Sequence, residues 1–505
     1  MPAKIQEAIM GVVGAGLMGR GIAQIAAQAG VPVLLFDSRP GGAEEARVAL
    51  AATLATLASK GKITADAASA ASGRLKVAAK LEDMKPCTVV VEAIVEDLDA
   101  KQQLFRTLEG IVSPDCILAT NTSSLSVTSI ASALSTPGRV AGFHFFSPVP
   151  LMKIVEVIPG SLTEERVVAT LTALAGRMGH TPVRASDTPG FIINHAGRGY
   201  NTEALRILGE SIAPHAEIDR VLRQAVGFRM GPFELMDMTG LDVSQPVMES
   251  IYNQYYQEPR FRPSPIARQR LAAGLLGRKS QRGFYDYKNG EKIDAPVQAV
   301  PPRVDRPVWL SASDRTSFPE VTSILSSLSV SVEKGKVASA EAICLVLPVG
   351  LDATTAAIKA GCDPARTVAL DPLFLSGRRT LMTTPATSPE VRDAAHALFA
   401  SDATPVSLIR DSAGFIAQRV VATIVNIASE IAQQGVARPP DIDTAVKLGL
   451  GYPSGPLAMG DKLGAARVLE ILDGLFEVYR DPRYRPSPWL RRRAQLGLSL
   501  LKSED

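Results

Sequence analysis

The sequence predicts an α/β N-terminal unit on a doubly wound, mostly parallel sheet, then an all-α helical domain, then a degenerate α/β unit and a second copy of the helical domain. Three observations carry this reading. Up to residue 186, short apolar runs alternate with helical patterns, the order that builds a parallel sheet covered by helices. A glycine-rich turn, Gly14-Ala15-Gly16-Leu17-Met18-Gly19, follows the first apolar run and opens a helical one. Four motifs of the helical stretch recur near the C-terminus at an almost constant spacing.

Within the first unit, 1–186, candidate strands cover 8–13, 31–36, 88–91, 116–119, 140–145, 154–157 and 181–184, with helical patterns between most of them. From Asp187 to 288 strand signals are few, and the stretch closes on Gly283-Phe284-Tyr285-Asp286-Tyr287. Residues 289–307 carry Pro296, Pro301, Pro302 and Pro307 in a polar setting and read as a linker. Buried-strand patterns at 342–347 and 367–370 place the second, smaller α/β unit at 308–408. The last segment, 409–505, repeats the helical domain. Gly190-Phe191-Ile192 recurs as Gly414-Phe415-Ile416, Glu217-Ile218-Asp219 as Asp441-Ile442-Asp443, and Gly231-Pro232-Phe233-Glu234-Leu235 as Gly455-Pro456-Leu457-Ala458-Met459, each 224 positions on. Pro259-Arg260-Phe261-Arg262-Pro263-Ser264-Pro265 recurs 223 positions on as Pro482-Arg483-Tyr484-Arg485-Pro486-Ser487-Pro488.

Composition narrows the function classes. The 505 residues are 46% apolar and 21% charged, ordinary for a globular chain of several domains. A net charge of +3 gives no field that would draw nucleic acid, and Arg491-Arg492-Arg493 reads as a solvated helix face. Cys87, Cys116, Cys344 and Cys362 lie far apart without a C-x-x-C, which predicts reduced thiols in a cytoplasm and no metal site. No charged-then-apolar leader precedes the strand pattern at Ala8, and no apolar run is long enough to span a membrane.

The glycine turn is G-x-G-x-x-G in a strand-to-helix setting, the Rossmann-type dinucleotide fingerprint. Gly14 permits the tight turn, Gly16 lets a pyrophosphate approach the backbone, and Gly19 lets helix pack on strand; Leu17 and Met18 lie in the same turn. The helix N-terminus then presents its positive end to phosphate. The next strand ends in Asp37, whose carboxylate suits ribose hydroxyls and repels a 2′-phosphate, so NAD is expected over NADP; Arg39 nearby is the feature that would tolerate the phosphate.

Asn121-Thr122-Ser123-Ser124-Leu125 follows the 116–119 strand, at the end of a parallel strand where ligands collect. One of its serines is expected to cap the helix starting near Ser126, with Ser124 as the capping oxygen, and the other to face substrate. In Gly142-Phe143-His144-Phe145-Phe146-Ser147-Pro148-Val149-Pro150-Leu151-Met152-Lys153-Ile154-Val155-Glu156-Val157, an apolar segment carries one imidazole and one carboxylate. The proline-rich centre turns the chain back. A hairpin-like return sets Glu156 beside His144, each then resolving the other's burial. A carboxylate there fixes the imidazole tautomer and stabilises the imidazolium, which a general base needs. Asp187-Thr188-Pro189-Gly190-Phe191-Ile192-Ile193-Asn194 opens the helical domain, with Asp or Thr as its cap and Asn194 one turn in.

Together these pieces resemble the 3-hydroxyacyl-CoA dehydrogenase family over residues 8–287, through the dinucleotide fingerprint with Asp37, Glu92-Ala93-Ile94-Val95-Glu96, the Asn121–Leu125 run, His144 with Glu156, Asp187-Thr188-Pro189-Gly190-Phe191, Gly231-Pro232-Phe233-Glu234-Leu235 and Gly283-Phe284-Tyr285. The resemblance implies NAD-dependent oxidation of an (S)-3-hydroxyacyl-CoA thioester. His144 would be the base, Glu156 its orienting partner, and Ser123 and Asn194 the groups on the reacting oxygens. It implies Glu92 and Lys101 near the nicotinamide half of NAD, Asn121 beside the cofactor, and Lys60 or Lys62 near CoA phosphates. The longer layout is similar to the phenylacetate-pathway branch, which acts on 3-hydroxyadipyl-CoA or related thioesters; Arg198, in Asn194-His195-Ala196-Gly197-Arg198-Gly199-Tyr200, is a candidate reader of a distal carboxylate, with an ordinary interdomain salt bridge as the favoured reading. The second half carries no G-x-G-x-x-G and no His…Glu pair: Arg378-Arg379-Thr380-Leu381-Met382-Thr383-Thr384 stands there, and Asn194 aligns with Gln418. One active site per chain follows, with the two helical copies as an internal pseudo-dimer. The rival readings are an NAD enzyme of free hydroxy acids and a structural, crystallin-like protein on the same fold.

Overall fold

A computed structural model describes residues 7–504, so residues 1–6, where the absence of a leader was read, lie outside the described part. The chain forms two compact units. One holds the residues up to 195 together with 434–450, and the other holds 196–433 and the residues from 451 on.

The first unit is built on an eight-stranded sheet of β1 (Met10–Val13), β2 (Val33–Phe36), β3 (Leu75–Val77), β4 (Val89–Glu92), β5 (Ile117–Thr120), β6 (Val140–Phe145), β7 (Ile154–Pro159) and β8 (Thr181–Arg184), in the order β3-β2-β1-β4-β5-β6-β7-β8. All neighbours are parallel except β6 and β7. The strands are near-continuous apolar runs because helices cover the sheet: α1 (Leu17–Gln28), α2 (Gly42–Ser59), α3 (Ala65–Gly73), α4 (Leu98–Glu109), α5 (Val127–Ala131) and α6 (Glu165–Arg177). Met10, Val12, Leu35, Val91, Ala119 and Phe143 are fully buried at its centre. β3 went unread, since Leu75-Lys76-Val77 offers one buried side chain and no alternation long enough to register.

The second unit begins with α7 (Ile193–Ala196, whose last residue it holds), α8 (Arg198–Gly209), α9 (His215–Val221), α10 (Pro232–Thr239), α11 (Leu241–Gln254) and α12 (Pro265–Ala272), then a hairpin of β9 (Tyr287–Lys288) and β10 (Glu291–Lys292). Its six-stranded sheet has the order β12-β11-β13-β14-β15-β16, from β11 (Val308–Leu310), β12 (Val332–Glu333), β13 (Ile343–Val346), β14 (Thr367–Leu370), β15 (Arg379–Thr383) and β16 (Val406–Ile409). The helices of this α/β part are α13 (Ala312–Ser317), α14 (Pro319–Ser327), α15 (Ala353–Ala360) and α16 (Pro389–Phe399). The second helical copy is α17 (Ala417–Gln433), α18 (Pro439–Leu450), α19 (Pro456–Leu463), α20 (Ala465–Tyr479) and α21 (Pro488–Leu496). On α21 the arginine run is not wholly solvated: Arg493 is buried with its guanidinium 3.1 Å from the centre of the Trp489 ring.

The copies exchange helices. α18 leaves its own copy and packs on β7 and β8 of the first unit, where Ser186 donates its amide to Val436 O at 2.8 Å. In the second unit the amide of Arg410, 224 positions on from Ser186, donates at 3.0 Å to Ile212 O, 224 positions before Val436. There Glu217 of α9 accepts from the Ser407 hydroxyl of β16 at 2.7 Å. Inside the second unit α8 packs along α17 around a buried pair, Arg419 to Glu203 at 2.5 Å, with Tyr484 donating to the same carboxylate at 2.7 Å. Burial is tolerable because every charge there meets an opposite one.

Strand register explains the degeneracy of the second sheet. His144 of β6 stands opposite Glu156 of β7, one rung beyond Phe143 and Val157. In the second sheet the matching rung follows Leu370 and Leu381, and there Asp371 donates its amide to Thr380 O at 3.0 Å. Asp371 occupies the place of His144, and Thr380 that of Glu156.

Candidate active site

β1 runs into the glycine turn, and Gly14 adopts φ +97° with an ideal Cβ only 2.5 Å from Ala93 O, so no other residue fits there. A Cβ on Gly19 would lie 1.8 Å from Gly14 O, whereas one on Gly16 would meet nothing within 4 Å. The turn is closed towards the protein and open at Gly16, where a pyrophosphate would approach. α1 starts at Leu17 with no side-chain cap, leaving its first amides for an anion. Leu17 is exposed and Met18 half-buried against the core. Asp37, at the end of β2, accepts from Ala15 N at 2.7 Å and from Arg39 N at 2.9 Å, so its carboxylate lies against the turn. Arg39 is drawn away to Glu45 at 2.7 Å.

At the ends of β6 and β7, His144 Nδ1 lies 2.7 Å from Glu156 Oε2, with both residues buried. Glu156 Oε1 accepts from the amides of Ile192 and Ile193, each at 2.9 Å. An anion with three donors is a fixed acceptor, so the imidazole carries its proton on Nδ1 and its lone pair on Nε2. The two amides are aimed by consecutive left-handed residues, Gly190 at φ 77° and Phe191 at φ 48°, a turn repeated at Gly414 and Phe415. Non-glycine residues reach that region at a cost, and here the strain orients a donor pair. Phe146 and Phe191 flank the ring, with centroids 4.3 and 5.6 Å away. In the described run 191–200 Asn194 alone is half-buried and its neighbours are buried.

Comparison with known proteins places the α/β part of this unit and the helical segments in one family. Residues 9–188 match the model of the 3-hydroxyacyl-CoA dehydrogenase NAD-binding domain, and residues 190–287 and 414–505 each match that of its C-terminal domain. The chain belongs to the 3-hydroxyacyl-CoA dehydrogenase family. It is 38% identical over 492 residues to the 3-hydroxyadipyl-CoA dehydrogenase of Escherichia coli K12, covering 96% of this chain and 97% of that one. It is 42% identical over 277 residues to a probable 3-hydroxybutyryl-CoA dehydrogenase of Bacillus subtilis, covering 55% of this chain and 96% of that one. A crystal structure of 3-hydroxybutyryl-CoA dehydrogenase from Escherichia coli K12 superposes with a TM-score of 0.86 at 35% identity, over 97% of this chain and 98% of that one. The family-model match to two separate stretches makes the repeated helical segment a duplicated C-terminal domain.

The dehydrogenase's Asn121–Leu125 loop is held from two sides. Asn121 Oδ1 accepts from Phe145 N at 2.9 Å, tying the loop to the residue after His144. Glu96 Oε1 accepts from Thr122 Oγ1, Ser123 N, Ser124 N and Ser124 Oγ at 2.7–2.9 Å. Burial raises the Glu96 pKa, but Lys101 and these donors outweigh it and hold the group below the carboxylate range. Glu96 was not singled out from sequence; five donors converging on one acceptor have no local signature. Ser123 is half-buried, its hydroxyl 3.4 Å from Glu96. The helix cap is neither Ser123 nor Ser124 but Ser126, which accepts from Ser129 N at 3.1 Å. Asp187, read as a local cap, accepts instead from Ser126 Oγ, Val127 N and Thr128 N at 2.7–2.9 Å, capping α5 across the sheet.

Glu92 and Lys101 pair at 2.6 Å and are enclosed, Glu92 also accepting from Thr120 Oγ1 at 2.7 Å. Their charges face each other and Glu96 rather than a groove. Lys60 and Lys62 are exposed in the turn between α2 and α3. Arg198 sits in the second unit, buried near Tyr452, and burial pushes its pKa down to about 10. The dehydrogenase's Gly231–Leu235 and Gly283–Tyr285 motifs are structural: Asp219 accepts from Phe233 N, Glu234 N and Tyr285 Oη, and Asp237 from the amides of Phe284 and Tyr285. Among the described residues no helix is long and apolar enough to cross a membrane, and no cluster of three metal-type ligands occurs.

Proposed function

We propose that His144 is the general base in the oxidation of an (S)-3-hydroxyacyl-CoA at C3. Bound NAD supplies the hydride acceptor. His144 Nε2 takes the hydroxyl proton as the C3–O bond becomes a carbonyl, and the imidazolium formed is balanced by Glu156. Ser123 and Asn194 hold the reacting oxygens, Lys60 and Lys62 attract the CoA phosphates, and Asp37 reads the adenine ribose. The single observation that carries this reading is the 2.7 Å His144–Glu156 contact, with Glu156 anchored by two amides.

The substrate we assign is 3-hydroxyadipyl-CoA, in phenylacetate breakdown. The near full-length similarity to an enzyme of that name supports it. The two helical copies act as an internal pseudo-dimer, supported by the α8–α17 packing and the exchanged helices. Four free cysteines support a cytoplasmic setting. The test is NADH oxidation with acetoacetyl-CoA, beside free 3-oxo acids. Turnover of the thioester with wild type, and its loss in His144→Gln with NADH binding intact, is the expected result. Turnover retained in His144→Gln refutes the base, and activity on free acids alone refutes the substrate class.

A further inference from the structure

We infer that the second half of the chain positions the first half's catalytic pair, through Gly449 at the end of α18. The inference rests on the reading of His144 and Glu156 as the reacting pair. α18 belongs to the same compact unit as that pair and lies on β7, the strand that carries Glu156. Its buried face is Ile442, Ala445 and Val446, spaced as one stripe of a helix. Burying the Ile and Val side chains stabilises the docking.

The last turn of α18 reaches Ile193. A Cβ on Gly449 would lie 2.5 Å from Ile193 Cδ1, 3.1 Å from Cγ1 and 3.3 Å from Cγ2. Ile193 is buried and β-branched, so its side chain has little room to swing. Its amide is one of the two that fix Glu156 Oε1, and Asn194 follows it. The chain of contact is Gly449, Ile193, Glu156, His144.

The other half of the molecule supplies a control within the same chain. At the 224-residue spacing, Gly449 corresponds to Ala225 and Ile193 to Ala417, on elements that also pack together. Ile193 faces glycine beside the reacting pair, whereas both corresponding positions in the other half are alanine, Ala417 standing next to the Gln418 that binds Asp371. Where chemistry depends on the backbone position, the bulk lies on the residue whose amide holds Glu156, and the facing position on α18 carries none. That gives the catalytically empty half a role: its helix is a fixed wall behind the amides that hold the carboxylate.

Gly449→Ala tests this. We expect kcat with acetoacetyl-CoA to fall at least tenfold while the KM for NADH and the thermal midpoint hold. Ile193→Val, which deletes the nearest atom, is expected to restore most of kcat in the Gly449→Ala background. A kcat within twofold of wild type overturns the inference. So does a loss that Ile193→Val does not restore, or one in which the KM for NADH and the midpoint move in parallel with kcat. His144→Gln run alongside separates the two claims: turnover in that variant ends the base assignment, whereas the Gly449 effect and its rescue report only on positioning.

Discussion

Replacing Glu156 by glutamine preserves the side chain's shape and removes its charge. In the native arrangement one oxygen takes two amides at 2.9 Å and the other takes His144 Nδ1 at 2.7 Å. Glutamine has one acceptor oxygen and one donor group. The oxygen must stay on the amides of Ile192 and Ile193, since an NH₂ there would face two donors. The NH₂ then points at Nδ1, which must become an acceptor. The imidazole proton moves to Nε2, the nitrogen that should receive the substrate proton. In Ser-His-Asp triads, losing the orienting carboxylate in this way lowers kcat by roughly 10⁴. The Coulomb route agrees in scale: unit charges about 4 Å apart at an effective dielectric near 20 interact by about 4 kcal/mol, or roughly 10³ in rate. We therefore expect Glu156→Gln to lose roughly 10³- to 10⁴-fold in kcat with acetoacetyl-CoA, followed at 340 nm. NADH affinity, measured by fluorescence, should hold, because the hydrogen bonds of Glu156 go to His144, Ile192 and Ile193 and those of the glycine turn to Asp37 and Phe36. A loss of less than tenfold would show that the carboxylate neither sets the tautomer nor balances the imidazolium. A parallel collapse of NADH binding would show that the substitution disturbs the unit as a whole.

Asp371, in the second sheet, is fully buried, and burial pushes its pKa from the ordinary 3.8 up to about 6 against the donors Gln418 and Leu373 N. Between those two values the folded chain binds more protons than the unfolded chain, so its contribution to stability falls as pH rises from about 4 to 6, by on the order of 3 kcal/mol. Asp371→Asn should raise the thermal midpoint at pH 7.5 and leave it nearly unchanged at pH 4; an equal effect at both values would mean the carboxyl is not the titrating group.

What the sequence determined by itself is what short stretches of backbone dictate. The glycine turn, the Asp37 that ends the next strand, and the apolar runs of most strands in the first sheet are local patterns, because the φ of Gly14 and the period of a strand depend on near neighbours. The His144–Glu156 pair was legible too, since a short proline-bearing return leaves two facing strands few registers. Tertiary structure alone decided the rest. Asp187 caps a helix some 60 residues away in sequence, its Oδ1 meeting Val127 N. Glu96 gathers a loop from a neighbouring strand end. α18 leaves its own copy to stand behind Ile193, and Asp371 inherits the place of His144 only once strand register is known. Such arrangements are set by which apolar faces and buried donors find partners across the fold, and the free energy of those contacts belongs to pairs of residues too distant in sequence to leave a mark in any one segment.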